Sequence, residues 1–446
     1  MSAPRPELGQ FRPPRLPSLV EEQLAGGLHA IAVRRAGVPL VEVRFVFPLG
    51  LAQLTHPAGP LVLSESILAG TRLHDRESLA TELEHLGATL EASLSGDRLV
   101  ITASALATNS TGLLGLVAEV LTGATYPKGE VEADRQRTAD QVIVLLSRPE
   151  MLAEEAFAAR LFGRHPYATP IPRPDALVRV SAPALRSLHR AVLQPSTAHA
   201  VLVGDMQPRR ALSMLETALA EWLAAAEVVD VDLPAVSPVR PGGLDLVPRA
   251  DAVQSNIRIG GNAVRRSHPD WAALSLANQI MGGMFTSRLT TNLRERNGYT
   301  YSPRSGFEHR RAGSTFSIAA DVASEVTAAA LIEARYELGR LVTGGVTDEE
   351  LETAKRYAVG SWLFQTATQS GLASTLAALA AGGIGPGYLT GYPAALLRTR
   401  RQEVDEAARR YLAPARLATV IVGDAGVVQH GIEAIDEVRL LGTAGV

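Results

Sequence analysis

The chain has 446 residues, 46% of them hydrophobic and 20% charged, with a formal net charge of −3. That length exceeds one ordinary core and implies two or more domains. The near-neutral balance gives no reason to expect nucleic acid or an anionic membrane as partner, and the absence of cysteine excludes disulfides, thiolate metal sites and thiol nucleophiles.

In chain order, Met1 to Leu19 is rich in proline and arginine and lacks the apolar stretch of a secretory signal. No uninterrupted apolar run reaches the ~18 residues that a membrane-spanning helix needs, so a soluble, cytoplasmic protein is expected. Leu28–Val33 and Val41–Phe47 predict two strands paired with each other across Ala36-Gly37-Val38-Pro39. Pro60–Leu68 predicts a short apolar helix, and Leu99-Val100-Ile101-Thr102-Ala103 alternates as a half-buried strand does. Apolar spacing predicts helices over Leu113–Leu121 and Pro149–Leu161, with a polar helix over Glu130–Ile143 between them. Leu212, Leu215, Leu219 and Leu223 predict a closing helix over Arg210–Ala225. The stretch Val228 to Gly243, with Pro234, Pro238, Pro241, Gly242 and Gly243, has the composition of a linker.

Beyond the linker the same landmarks return. A strand ending in Gly-Asp closes each half, Ala200-Val201-Leu202-Val203-Gly204-Asp205 and Thr419-Val420-Ile421-Val422-Gly423-Asp424, the copies lying 219 positions apart. Gly70-Thr71-Arg72 is answered by Thr286-Ser287-Arg288. Leu83 to Asp97, turning at Gly87, is answered by Leu293 to Gly306, turning at Gly298. The strand at Leu99 is echoed by Ser314–Ile318, and the polar helix by Thr347–Val359. Landmarks kept in order imply an internal duplication: domain one over residues 1–227, a linker over 228–245 and a homologous domain over 246–446. Strands and helices in non-alternating order imply an α+β fold, each domain a mostly antiparallel sheet packed with helices.

Four blocks carry chemistry or its absence. In the first half they are Pro57-Ala58-Gly59…Gly70-Thr71, Leu86-Gly87-Ala88 and Gly163-Arg164-His165-Pro166-Tyr167. In the second half Gly282-Gly283-Met284-Phe285-Thr286-Ser287-Arg288-Leu289 runs into Leu293-Arg294-Glu295 and then Gly298-Tyr299-Thr300-Tyr301-Ser302. Gly282-Gly283 lacks the lysine and hydroxyl of a phosphate loop and predicts a tight turn at a helix start.

Taken together these blocks resemble the insulinase/pitrilysin zinc peptidases, a family that includes the mitochondrial processing peptidase and bacterial two-subunit relatives. The resemblance implies a zinc motif, H-x-x-E-H, on the helix before Gly70-Thr71. Two imidazoles at i and i+4 would hold the metal and the glutamate would act as general base. Here that helix reads Gly59-Pro60-Leu61-Val62-Leu63-Ser64-Glu65-Ser66-Ile67. One register places Leu61, Ser64 and Glu65 at the motif positions, the other Val62, Glu65 and Ser66. The downstream acidic ligand would fall near Asp140 or Gln141. No metal ligand and no cofactor are therefore expected in this chain. Thr81-Glu82-Leu83-Glu84-His85 imitates the motif, but it lies after Gly70-Thr71, where the family has no ligands.

The resemblance also implies an arginine and a tyrosine, seven residues apart in the second unit, that point into the cleft opposite the zinc. Arg294 and Tyr301 match, while Arg296, Tyr299 and Arg304 are expected to be structural or rim residues. As water adds to a peptide carbonyl, negative charge grows on its oxygen; a phenol can donate to it and a guanidinium can hold a neighbouring carbonyl. The resulting expectation is the zinc-free subunit of a heterodimeric metalloendopeptidase acting on peptides. Arg294 and Tyr301 would be its catalytic residues, and an H-x-x-E-H homologue its zinc-bearing partner. The alternative is a non-catalytic structural or peptide-binding scaffold of the same fold.

Overall fold

The computed structural model describes residues 15–240 and 242–442. Most of the Met1–Leu19 stretch and Pro241 of the proline-rich segment lie outside them. Among these described residues, twelve strands form two six-stranded sheets. The first contains β1 (Leu19–Gln23), β2 (His29–Arg34), β3 (Leu40–Pro48), β4 (Thr89–Ser95), β5 (Arg98–Leu106) and β6 (His199–Gly204), in the order β1-β2-β6-β3-β5-β4. The second contains β7 (Leu244–Pro248), β8 (Gln254–Ala263), β9 (Arg304–His309), β10 (Ser314–Ala323), β11 (Ala418–Gly423) and β12 (Val438–Leu440), in the order β12-β7-β11-β8-β10-β9. Five strands correspond one to one, and both sheets are mostly antiparallel. The fold is α+β and duplicated, as the repeated landmarks imply. Among the described residues no helix is long and apolar enough to cross a membrane.

The hairpin expected from Leu28–Val33 and Val41–Phe47 does not form. Strand β6 enters between them, parallel to β2 (His29 opposite His199) and antiparallel to β3 (Val43 opposite Leu202). The repeated Gly-Asp explains why. Gly204 accepts a backbone hydrogen bond from Arg35 at 2.8 Å, and a Cβ on it would sit 2.7 Å from the Leu40 carbonyl oxygen. Gly423 accepts equally from Arg249 at 2.8 Å, and a Cβ there would meet Ser255 Oγ at 2.6 Å. Each glycine lets the closing strand slide in beside the loop that joins the earlier two. Strand β7 begins at Leu244, ahead of the boundary at 246, and the closing helix of the first half is two helices, Pro208–Ala218 and Ala220–Ala224, broken at Leu219.

Five further elements matter below: α1 (Ala58–Ser66), α2 (Lys128–Leu146), α3 (Pro149–Phe162), α4 (Asp348–Gln365) and α5 (Gln369–Ala381). The halves exchange helices. From the first half, α3 covers the second sheet, with Ala153, Ala156 and Phe157 against Val247, Val420 and Val422. From the second, α5 covers the first sheet, with Leu372, Leu376 and Leu379 against Ile31, Val33, Val201 and Val203. Each fully buried leucine contributes ~1.5–3 kcal/mol, so neither sheet has a complete core without the other half.

Equivalent buried arginines mark the two exchanges. Arg44 on β3 pairs with Glu42 at 2.8 Å and donates to Ser370 Oγ of α5 at 2.8 Å. Arg258 on β8, 1% exposed, pairs with Glu154 of α3 at 2.7 Å and with Asp321 at 3.0 Å. Breaking a buried pair costs ~3–5 kcal/mol, so Arg258→Ala should destabilise the chain by about 3 kcal/mol, measurable by urea unfolding.

The segment between the halves is a pinned strap. Arg311 Nη2 donates to the Val231 carbonyl at 2.7 Å, the Pro234 carbonyl lies 3.0 Å from His165 Nε2, and Val239 N donates to Asn262 Oδ1 at 2.6 Å. Tyr167, in the His-Pro-Tyr block, donates to the buried Asp97 carboxylate at 2.5 Å, and the Arg311 backbone N–H donates to the same oxygen at 2.7 Å. That block fastens the first half to the β9–β10 hairpin.

Two histidines at this junction are held neutral. Burial, with the charges of His29, Arg98 and Arg311, pushes His199 down to about 4; burial, with Arg266 and Arg98, does the same to His309, down to about 4. Between the ordinary value near 6.5 and about 4 the unfolded chain binds protons that the folded one does not, so stability falls on acidification. Melting temperature should decline from pH 6.5 to 4, and His199→Asn should flatten that decline.

Candidate functional site

The second-half block builds a projecting surface from local rules. Gln279–Gly283 and Thr290–Arg296 are both π-helical, an arrangement that often marks functional sites. Gly282-Gly283 ends its helix rather than starting one. A Cβ on Gly282 would meet Ser305 Oγ at 2.6 Å and one on Gly283 would meet Gln279 Oε1 at 2.7 Å. These glycines let the start of β9 lie against the turn. Arg288 then ties the segment to α4, donating to both oxygens of Glu350 at 2.7 and 2.9 Å. Burial raises the Glu350 carboxyl, but hydrogen bonds from Arg288 and Thr347 outweigh it and leave the pKa lowered.

Arg294 lies in the second π-turn. Its neighbour Leu293 is fully buried, and Asn292 donates to Glu333 and Glu337 at 2.8 Å each, which fixes the turn on the helix Thr327–Gly344. Gly298, at φ +64°, reverses the chain, and the Tyr299 N–H closes onto the Leu293 carbonyl at 2.8 Å. Tyr299 packs on the core, and Tyr301 comes back past Arg294 with 78% of its surface exposed.

The structure thus brings Arg294 and Tyr301 together. The guanidinium carbon lies 4.6 Å from the centre of the Tyr301 ring and 4.7 Å from that of Phe285. Each exposed cation–π contact is worth ~0.5–1 kcal/mol, enough to orient the fork but not to immobilise it. Its ion pair is with the exposed Glu295, at Nε (3.1 Å), the arginine side chain itself being 27% exposed, and its two terminal nitrogens are unpaired among the described residues. Phe285 was not singled out from the sequence. It stands in the segment Gly282–Leu289, but nothing in its spacing marks it as the arginine's second ring. Arg296 and Arg304 are exposed, as rim residues are.

The helix that should carry the zinc motif is α1, and it packs on α2. Between them lies a groove of about 890 Å³ lined by Leu61 and Glu65 of α1 and by Asp140, Gln141, Val144 and Leu145 of α2. Val62 and Ser66 are buried at 0% and 1% exposure. The two registers left open by the sequence are thereby separated: Leu61 and Glu65 take the positions of the paired imidazoles, with Gln141 or Asp140 opposite. Leucine offers no lone pair to a metal, and one glutamate with one amide or aspartate is not the nitrogen-rich set zinc prefers. The residues present do not fit zinc. Among the described residues no group of three or more His, Cys, Asp or Glu could hold a metal ion. On the helix Arg76–His85 the imitation motif leaves His85 70% exposed, 3.9 Å from Glu82.

Comparison with known proteins gives the family. Residues 63–175 match the family model described as insulinase (peptidase family M16), and residues 179–357 match that of the peptidase M16 inactive domain. The chain belongs to the insulinase (M16) peptidase family. An uncharacterized zinc protease of Streptomyces coelicolor is 21% identical over 310 residues, 67% of this chain and 66% of that protein. One from Mycobacterium leprae is 22% identical over 66% of each. The chain thus spans just under two-thirds of the length of these relatives. Among solved structures, a peptidase M16 inactive domain from Pseudomonas fluorescens superposes with a TM-score of 0.83 at 23% identity, covering 91% of this chain and 98% of that one. A protease from Helicobacter pylori superposes with a TM-score of 0.80 at 18% identity, covering 92% and 100%. At these identities the structures share the fold. Within the M16 family this chain departs from the metal-binding pattern at the motif helix itself.

Proposed function

We propose that this chain is the zinc-free subunit of a heterodimeric M16 endopeptidase, offering Arg294 and Tyr301 to a substrate carbonyl while an H-x-x-E-H homologue provides metal and general base. The observation that supports it most is the pairing of a ligand-free motif helix with a preassembled arginine–tyrosine pair. The partner's zinc would polarise the scissile carbonyl and activate the water.

This chain's part is electrostatic. The free nitrogens of Arg294 can form a charge-assisted fork to a peptide carbonyl, and the Tyr301 phenol can donate to the oxygen that gains charge. Tyr301 is 78% exposed and the Arg294 side chain is partly exposed in the isolated chain, so a second surface has to complete the cavity and exclude water before these donors gain their full strength. The strand edge of β9, which begins three residues after Tyr301, is free for an extended peptide to pair with.

The experiment is reconstitution: the chain is mixed with an H-x-x-E-H homologue from the same organism and cleavage of an unstructured peptide library is followed. Activity that appears only in the mixture supports the assignment. A complex that assembles but cleaves equally well with Arg294 and Tyr301 both replaced leaves the scaffold reading in its place.

A further inference from the structure

A second concentration of guanidinium groups lies at the junction of the halves, in a cavity of about 550 Å³. Its cations come from separate segments: Arg98 from the β4–β5 hairpin, Arg265 and Arg266 from the end of β8, and Arg310 and Arg311 from the β9–β10 turn. The strap residues Asp232–Ala235 and the end of α5 close the remaining sides. Five guanidiniums face two lining carboxylates, Asp232 and Glu308, with Asp97 buried behind Arg98.

Three of the five, Arg265, Arg266 and Arg311, have no ion-pair partner among the described residues. The Arg311 guanidinium donates to two neutral acceptors, the Leu49 and Val231 carbonyls at 2.9 and 2.7 Å. Arg98 is 15% exposed and lies 3.3 Å from Asp97, yet its buried Nε has no hydrogen-bond partner. The other Asp97 oxygen is already taken by Tyr167 and the Arg311 backbone. Arg266 makes no ion pair among the described residues; burial, with Arg98 nearby, lowers its pKa, and the groups that oppose this are Tyr388 and Tyr392, with no carboxylate. Arg310 is fully satisfied, by Glu308 at 2.7 Å and by the rings of Phe162 and Tyr167. Converging like charges in a half-enclosed space weaken a fold, and such sacrifices of stability are a mark of binding sites.

We propose that this junction cavity binds a small polyvalent oxyanion, a phosphate or a polycarboxylate, gripped by Arg98, Arg266 and Arg311. Guanidinium forks match both chemistries bidentately. Because the walls come from both halves and the strap, an occupied cavity also fastens the halves together. The site stands apart from Arg294 and Tyr301 and does not depend on the peptidase reading.

Thermal unfolding of the full chain in pyrophosphate, citrate or potassium chloride at matched ionic strength tests it. The expected result is a saturable rise in melting temperature with pyrophosphate or citrate that chloride does not reproduce; whichever anion acts assigns the source chemistry. Arg266→Gln should raise the melting temperature in chloride by relieving repulsion and weaken apparent anion affinity at least about tenfold, the loss of one charge-assisted contact. Arg98→Gln should weaken it similarly, and Arg72→Gln, exposed on the first half, should leave it unchanged. Anions no better than chloride, or an undiminished response in both Arg266→Gln and Arg98→Gln, overturns the proposal.

Discussion

Replacing Arg294 with alanine is expected to lower kcat/KM of the reconstituted peptidase by about 10²–10³, and Tyr301→Phe should act mainly on kcat by a similar factor. These are the losses that follow removal of one donor aimed at developing charge. The two changes probe different atoms. Alanine removes the fork that holds a substrate carbonyl in ground and transition states, so part of its effect should appear in KM. Phenylalanine keeps the ring that stacks on Arg294 at 4.6 Å and deletes only the hydroxyl. Phe285→Leu separates positioning from chemistry: it loses the second ring at 4.7 Å, should cost about tenfold, and should leave the pH profile in place. Assembly, followed by size-exclusion chromatography, should be unaffected in all three, because Tyr301 and Phe285 are 78% and 67% exposed and none fills a core.

The second large effect is a gain. Leu61→His with Glu65→His and Gln141→Glu should create a site that takes up one zinc ion per chain, since all three positions line the groove between α1 and α2 and three protein ligands with one open position suit the metal. The alternative register, Val62→His with Ser66→His, places two imidazoles at positions only 0% and 1% exposed. It should destabilise the fold by several kcal/mol (about 1–3 for each polar group buried without a partner) and bind no metal. Zinc uptake by the second variant in place of the first would reverse the register derived from the groove.

The duplication was legible because its signals are local and sterically enforced: Gly204 and Gly423 touch a neighbouring strand, and Gly87 and Gly298 both adopt positive φ. The strand order was not legible. The pairing of His29 with His199 joins residues far apart in sequence, and nothing in Leu28–Val33 distinguishes a parallel partner from the next strand along. The helix exchange was hidden for a related reason. Arg44 and Arg258 look like solvent-facing alternation in their strands, and only the seating of α5 and α3 over them makes them buried. At the candidate site, Arg294 and Tyr301 were legible only through the family resemblance, which supplied the meaning of their seven-residue spacing around a turn. Phe285 was not, because a cation–π partner across two turns has no characteristic separation. The arginine cavity was invisible for the same reason, its cations coming from three separate segments of the chain.

The claim on which the account rests is that this polypeptide assists a cleavage whose metal another polypeptide carries. Peptide hydrolysis should be measured for the purified chain, for the H-x-x-E-H homologue and for their equimolar mixture, each with its zinc content determined. Cleavage confined to the mixture, with one zinc that follows the homologue, is the predicted result. Hydrolysis by this chain alone, or by the homologue at full rate without it, would contradict the account.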